Sequence, residues 1–166
     1  MSDNERSFIP LDIAVLTISD TRKEADDKSG KVLCDRLSKA GHAVYEKKIV
    51  TDDIYEVRAA VSKWIAETKP DVVLTTGGTG VTGRDGTPEA IRPLLDKEIT
   101  GFGEMFRMLS FETIKTSTLQ SRAFAGVANR TYIFSLPGSV GACAEAWDKL
   151  ISHQLDYRIK PCNLVE

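Results

Sequence analysis

Asp85 is an acid in an unexpected setting. It lies in Thr75-Thr-Gly-Gly-Thr-Gly-Val-Thr-Gly-Arg-Asp-Gly-Thr-Pro-Glu89, a loop whose glycines let backbone N–H groups approach an anion closely. A carboxylate repels a bare phosphate, so its use in such a loop is to hold a divalent cation. Mg²⁺ is held by one or two carboxylates together with phosphate oxygens. A second acid, Asp52, follows a strand-like run and could share the ion, with Asp53 beside it as the competing choice. Glycine cradle, acids and cation together suit phosphoryl or nucleotidyl transfer, in which positioning and charge neutralisation carry most of the catalysis. No protein nucleophile is then required.

Other chemistries each lack a residue. Gly78-Thr-Gly-Val-Thr-Gly83 fits the dinucleotide pattern G-x-G-x-x-G, but that fingerprint needs a helix starting within the glycines and an acid about 20 residues on. Gly86 and Pro88 push the helix start beyond the glycines. A P-loop needs Lys-Ser/Thr where this chain has Arg84-Asp85. A nucleophile elbow needs G-x-S-x-G, and Pro137-Gly-Ser-Val-Gly141 misses the first glycine. The two histidines, His42 and His153, fall at no predicted strand end, which argues against a catalytic base and a His-rich metal site.

The elements that would position these residues can be read from periodicity. Four strands are predicted: Leu11–Ile18, nearly all apolar as for a strand buried on both faces; Ala43–Val50; Val72–Thr76; and Thr131–Leu136. Helical patterns separate them. Lys31–Ala40 stops at Gly41, Asp53–Lys69 carries an apolar stripe, Thr87–Glu98 starts with Thr as cap and Pro at the first turn, and Ser139–Leu155 closes the series. Pro93 should kink or split the third of these. Strands alternating with helices predict an α/β fold, a mostly parallel sheet covered on both faces. Ligands bind such sheets at the carboxyl ends of the strands. All four ends here are polar or glycine-rich: Ser19-Asp20-Thr21-Arg22, Thr51-Asp52-Asp53, the glycine loop, and Pro137-Gly138-Ser139.

The segment Ile99–Ile114 puts Phe102, Met105, Phe106 and Leu109 on one helical face, with Met108 and Phe111 off it. A helix apolar beyond one stripe is buried on more than one side. Either it is a deep core helix or it meets another subunit, and its Phe and Met content favours the interface.

A chain of 166 residues with net charge −2 is expected to form a single domain over 1–166, with residues 1–8 and 160–166 loosely ordered. No Lys/Arg cluster points to nucleic acid, and no apolar run approaches the roughly 20 residues of a membrane span. Cys34, Cys143 and Cys162 are odd in number and widely spaced, arguing against a disulfide framework or a zinc site. A cytoplasmic protein is expected.

Taken together, Thr75-Thr-Gly-Gly-Thr-Gly80, Arg84-Asp-Gly-Thr-Pro-Glu-Ala90 and Gly101-Phe-Gly-Glu-Met-Phe-Arg107 resemble the MoaB/Mog family of molybdenum cofactor biosynthesis. Ser19-Asp20, Leu119-Gln-Ser-Arg122 and Leu136-Pro-Gly-Ser139 extend the likeness over roughly residues 9–157. The resemblance implies a three-layer α/β/α molybdopterin-binding fold, assembled as trimers or as a hexamer. It implies that ATP and Mg²⁺ adenylylate the phosphate of molybdopterin, or alternatively that the chain binds or carries the pterin without catalysis. It assigns Asp85 and Asp52 to catalysis and to Mg²⁺. Ser19, Asp20, Thr76, Gly77, Gly78, Thr79, Gly80, Thr87, Pro88 and Glu89 fall to substrate and nucleotide binding. So do Ser121, Arg122, Gly138 and Ser139.

Overall fold

The computed structural model describes residues 5–165. Six strands form one sheet in the order β2-β1-β3-β6-β5-β4. They are β1 (Asp12–Ile18), β2 (Ala43–Val50), β3 (Val72–Thr76), β4 (Lys97–Glu98), β5 (Phe124–Ala128) and β6 (Thr131–Leu136). The first three and β6 run parallel, whereas at one edge β5 pairs antiparallel with both β6 and β4.

Alternation along the strands divides the interior into two cores. Ile13, Val15, Leu74, Phe134 and Leu136 face one way; Ala14, Leu16, Val73 and Ile133 face the other. The first face is covered by α1 (Lys28–Lys39), α4 (Thr100–Ile114) and α5 (Val140–Ala146), the second by α2 (Ile54–Glu67) and α3 (Thr87–Ile91). The result is the three-layer α/β/α arrangement. None of the helices among the described residues is long and apolar enough to cross a membrane.

Several local expectations need correction. The sequence predicted four strands because β5, Phe124-Ala-Gly-Val-Ala128, is short and built of small residues. Its Gly126 is required by packing: a Cβ there would stand 2.7 Å from the Lys97 carbonyl oxygen on β4. The β5–β6 connection is a two-residue hairpin whose central residues, Asn129 and Arg130, have φ of 47° and 71°, the left-handed pair that matches strand twist. Asn-Arg lacks the glycine that would have announced it. The expected helix over Thr87–Glu98 ends at Ile91, continues as a 3-10 turn through Arg92–Leu94 and becomes β4, because Pro93 lacks the N–H a longer helix needs. Thr87 is the first helical residue of α3, with Gly86 as its cap. Helix α1 begins at Lys28, three residues before Lys31, because Asp27 caps it by accepting the Gly30 N–H at 3.0 Å. The last helix changes at Trp147–Ile151 into a π turn before α6 (Ser152–Gln154).

Helix α4 is core on some residues and exposed on others, and Met105 departs from the face predicted for it with Phe102, Phe106 and Leu109. Phe106 is 1% exposed and Phe102 7%, so they belong to the core. Met105, Met108, Phe111 and Ile114 form a separate exposed apolar face, from 49% to 60% exposed.

The expectation of loose ends falls partly on residues 1–4 and 166, which lie outside the described residues. Within the described part, Phe8 packs on the His42 ring at 5.0 Å, and the Leu164 N–H reaches the Gln154 carbonyl at 2.9 Å.

Candidate functional site

Strand order reverses at β1: the chain passes to β2 on one side and to β3 on the other. Such a reversal opens a crevice at the strand carboxyl ends. A cleft of about 500 Å³ lies there, walled by the loops after β1, β3 and β6 and by the end of α4.

The glycine loop is held with its acceptors turned away from the cleft. The Gly77 carbonyl accepts the Thr87 hydroxyl at 2.8 Å and the Gly78 carbonyl the Thr87 N–H at 3.0 Å. The Thr79 carbonyl accepts the Arg122 N–H at 2.9 Å, and the Gly80 carbonyl accepts Arg122 Nε at 2.8 Å. Among the described residues, no acceptor meets the N–H groups of Gly78, Thr79 and Gly80. Oxygens bonded outward with donors left open make a nest for anionic oxygens. Glycine is obligatory at Gly77, where φ is +111° and a Cβ would lie 2.1 Å from the Ile18 carbonyl oxygen.

Of the residues singled out from the sequence, Ser19, Gly77, Gly78, Thr79, Gly80 and Asp85 line the cleft, as do Ser121, Gly138 and Ser139. The others stand behind it. Thr76 is buried and donates its hydroxyl to the Pro137 carbonyl at 2.9 Å, fixing the β3 and β6 loops together. Thr87 and Pro88 are buried under the loop. Glu89 pairs with Arg122, and that guanidinium, first among the causes, holds the Glu89 carboxyl below its ordinary pKa. Ser19 organises its own turn by accepting the N–H groups of Thr21 and Arg22 at 3.2 and 3.1 Å. Ser139 caps α5 by accepting the Ala142 N–H.

The acids after β1 and β2 form a second group at the loop's rear. Asp53 caps α2, accepting the N–H groups of Tyr55 and Glu56 at 2.9 and 3.0 Å, which leaves Asp52 as the acid facing the glycine loop. Its Oδ1 is buried and has no hydrogen-bond partner. Burial raises the Asp52 pKa, and Asp20 and Asp85 raise it further, with Arg84 opposing them. Arg84 is bonded to Asp20 through Nε at 2.8 Å and Nη2 at 3.2 Å, and Asp20 also accepts the Asp52 N–H at 3.1 Å. A crowded carboxylate with an orphaned buried oxygen has the chemistry of a divalent-cation ligand, because a cation would supply the missing partner. Among the described residues no three His, Cys, Asp or Glu side chains form a ready-made metal cage. The donor set therefore fits Mg²⁺ of the kind completed by substrate phosphates.

Three features escaped the sequence reading. Arg22 lines the cleft, with Nη1 donating to Ser29 Oγ at 2.6 Å and Nη2 to the Gly138 carbonyl at 2.7 Å; its only signal was its place at a strand end. Phe106 and Ile114 provide an apolar wall, and Ser110, Ser117 and Gln120 the polar groups beside it. This mixture suits a flat heterocycle with hydrogen-bonding edges. Cys143 lies just beneath, bonded to Thr76 Oγ1 at 3.3 Å. Burial pushes its pKa to about 11, which keeps it a thiol and a poor nucleophile.

Comparisons with known proteins agree with this geometry. The family described as "Probable molybdopterin binding domain" matches residues 14–157. Molybdenum cofactor biosynthesis protein B of Escherichia coli (strain K12) is 57% identical over 163 residues, covering 98% of this chain and 96% of that protein. The crystal structure of a molybdenum cofactor biosynthesis protein B superposes with a TM-score of 0.86 at 47% identity, covering 90% of this chain and 94% of the other. The tungsten cofactor synthesizing protein MoaB from Pyrococcus furiosus gives 0.75 at 43% identity over 84% and 89%. With nearly the whole chain matched, this protein belongs to the MoaB/Mog family of molybdopterin-binding-domain proteins.

Proposed function

We propose that this chain works in molybdenum cofactor biosynthesis by binding molybdopterin in the cleft and adenylylating its phosphate with MgATP. In that reaction a phosphate oxygen of molybdopterin attacks the α-phosphorus of ATP, the bond to the β-phosphate oxygen breaks, and pyrophosphate leaves. The observation that carries the reading is Asp85 at the wall of a glycine cradle whose N–H groups are open, with the partnerless Asp52 oxygen behind it. A resident Mg²⁺ held by Asp52 and Asp85 would neutralise the phosphate charge. The open N–H groups would bind anionic oxygens, and Ile114, backed by the buried Phe106, would pack a ring. Such positioning and charge compensation are what phosphoryl-group chemistry requires.

The exposed apolar face of α4 supports homo-oligomers. Four large apolar side chains on one helix form the kind of patch that marks an association surface. Ile114 belongs to that face and also lines the cleft, so association would border the site. We place the reaction in the cytoplasm with the rest of this reading.

The test is direct. The pure protein is incubated with molybdopterin, ATP and MgCl₂, and adenylylated pterin and pyrophosphate are quantified. Formation of both in equal amounts supports the enzyme. Tight pterin binding with no product at any protein concentration would reduce the role to that of a carrier, and no binding of pterin would sink both.

A further inference from the structure

The cleft's charges are unequally balanced. Among the residues lining it, Arg22 is the one cation and Asp85 the one acid. Of the arginines at its margins, Arg84 is neutralised by Asp20 and Arg122 by Glu89, while Arg107, outside the lining, spends its guanidinium on the Ser121 and Ala123 carbonyls behind the wall. Arg22 pairs with no carboxylate among the described residues; its two partners, the Ser29 hydroxyl and the Gly138 carbonyl, are neutral. Those bonds use two of the five guanidinium N–H donors and leave the others, with the full positive charge, at the cleft.

The guanidinium is also held in place. Ser29 is fully buried at the start of α1, where Asp27 accepts the Gly30 N–H at 3.0 Å and the Thr17 hydroxyl at 2.6 Å. Gly138, the second anchor, lies against the glycine loop: a Cβ there would be 3.4 Å from Gly77 Cα. A fixed, half-buried cation beside open N–H groups is ordered before any ligand arrives, which lowers the cost of binding. A planar guanidinium in that position can donate to two oxygens of a phosphate.

We propose that Arg22 is the counter-charge for a phosphate group bound in this cleft, donated either by the pterin or by the nucleotide. The proposal rests on the reading of the cleft given above and names a residue that reading does not use. Arg22 acts on affinity and orientation: with positive charge at its wall and Asp85 at another, the phosphate end of the ligand is directed to Gly77 and Gly138.

Calorimetric titrations of wild type, R22Q and R22K with molybdopterin, with its dephosphorylated form and with ATP test this. R22Q is expected to weaken binding of the phosphate-bearing ligand that meets Arg22 on the order of 10- to 100-fold, the scale of a charge-assisted hydrogen bond. Dephosphorylated pterin should bind R22Q as it binds wild type. Should R22Q fail to fold, R22K carries the test: it keeps the charge without the fork, so the loss should stay below about 10-fold and again be confined to phosphate-bearing ligands. Equal affinities in wild type and variant, or the same loss for the dephosphorylated pterin, would overturn the proposal. If wild type binds ATP through Arg22 yet no pterin, Arg22's assignment stands and the pterin reading falls. If wild type binds pterin and R22Q binds both pterin and ATP as wild type does, the reverse holds. Binding of none of these ligands by wild type overturns both.

Discussion

Asp52 and Gly78 are fitted to each other: a Cβ on Gly78 would stand 2.9 Å from the buried Asp52 Oδ1. The same methyl would lie 2.3 Å from Thr87 Oγ1, and Gly78 has φ of +69°. Gly78→Ala should therefore cost about 1–3 kcal/mol of stability through left-handed strain, measured by urea denaturation. It should also reduce pterin affinity by more than about 10-fold, since the cradle donor moves with the backbone. An alanine variant with unaltered stability and binding would show that the loop relaxes freely.

Asp52 sets function against stability. A carboxyl whose pKa is raised by folding holds its proton more tightly in the folded state. Asp52 thus favours folding at low pH and opposes it as pH rises above the unfolded value of 3.8. Asp52→Asn should raise the melting temperature of the metal-free protein at pH 7, and the gap to wild type should shrink on acidification below 3.8. Saturating MgCl₂ should narrow the gap as well, because the ion binds only the wild-type acid. A variant less stable than wild type at pH 7 would contradict the burial argument.

Asp85 has the simpler prediction. Asp85→Asn should slow adenylylation on the order of 10²- to 10³-fold, the scale of one lost electrostatic group. Its side chain also accepts the Thr82 N–H at 3.1 Å, a bond asparagine can keep, so the fold should be preserved. Rates near wild type under single-turnover conditions would remove Asp85 from the reaction.

Asp27 is the buried charge that the protein relies on. Burial opposes its ionisation. Hydrogen bonds from Thr17, Lys47 and Gly30 outweigh that and hold the pKa below 3.8. Asp27→Ala removes the buried partner of Lys47, 3.0 Å away, and the cap of α1; with Glu24 still bonded to Lys47 at 2.8 Å, it should cost about 1–3 kcal/mol at pH 7. A depressed carboxyl stabilises above its unfolded pKa and loses that contribution as pH falls through its folded one. The difference between variant and wild type should accordingly diminish below pH 3.8. Chemical denaturation at pH 7 and pH 3 measures it.

Helix α4 separates core residues from the exposed apolar face proposed for association. Met108→Asp combined with Phe111→Asp, on the exposed face, should leave the circular dichroism spectrum intact and reduce the sedimentation coefficient to that of a monomer. Phe106→Asp should instead unfold the protein, because Phe106 is 1% exposed and an unpaired buried charge is costly. A double variant that sediments as wild type does would place any subunit contact elsewhere.

Much of this was legible in the sequence, and the rest was hidden for identifiable reasons. Apolar runs such as Leu11–Ile18 give strands directly because both faces are buried. Which of Asp52 and Asp53 caps α2 was open in the sequence, because the two acids are adjacent; the structure gives the cap to Asp53. The antiparallel edge was invisible because Gly126 and the Asn129–Arg130 turn follow from tertiary contact and twist, and their residue types do not advertise a strand. The glycine loop was visible, but which way its carbonyls point was not. That depends on Thr87 and on Arg122, which is 42 residues from the Gly80 carbonyl it bonds. Arg22 was hidden for the same reason: its isolation from carboxylates is a fact about three dimensions.

The two cores on either face of the sheet give the molecule a mechanical property. Leu16 and Trp64 pack in one, Leu33 and Trp147 in the other. Paired substitutions across the sheet should have nearly independent energetic effects. The cleft is where the layers come together, lined by Asp85 from the loop leading into α3, by Ser110 of α4 and by Ala142 of α5. A ligand seated there acts as a keystone: by touching both layers it makes their opening a single cooperative event. Amides of α2 and of α5 should then gain hydrogen-exchange protection together when the cleft is filled.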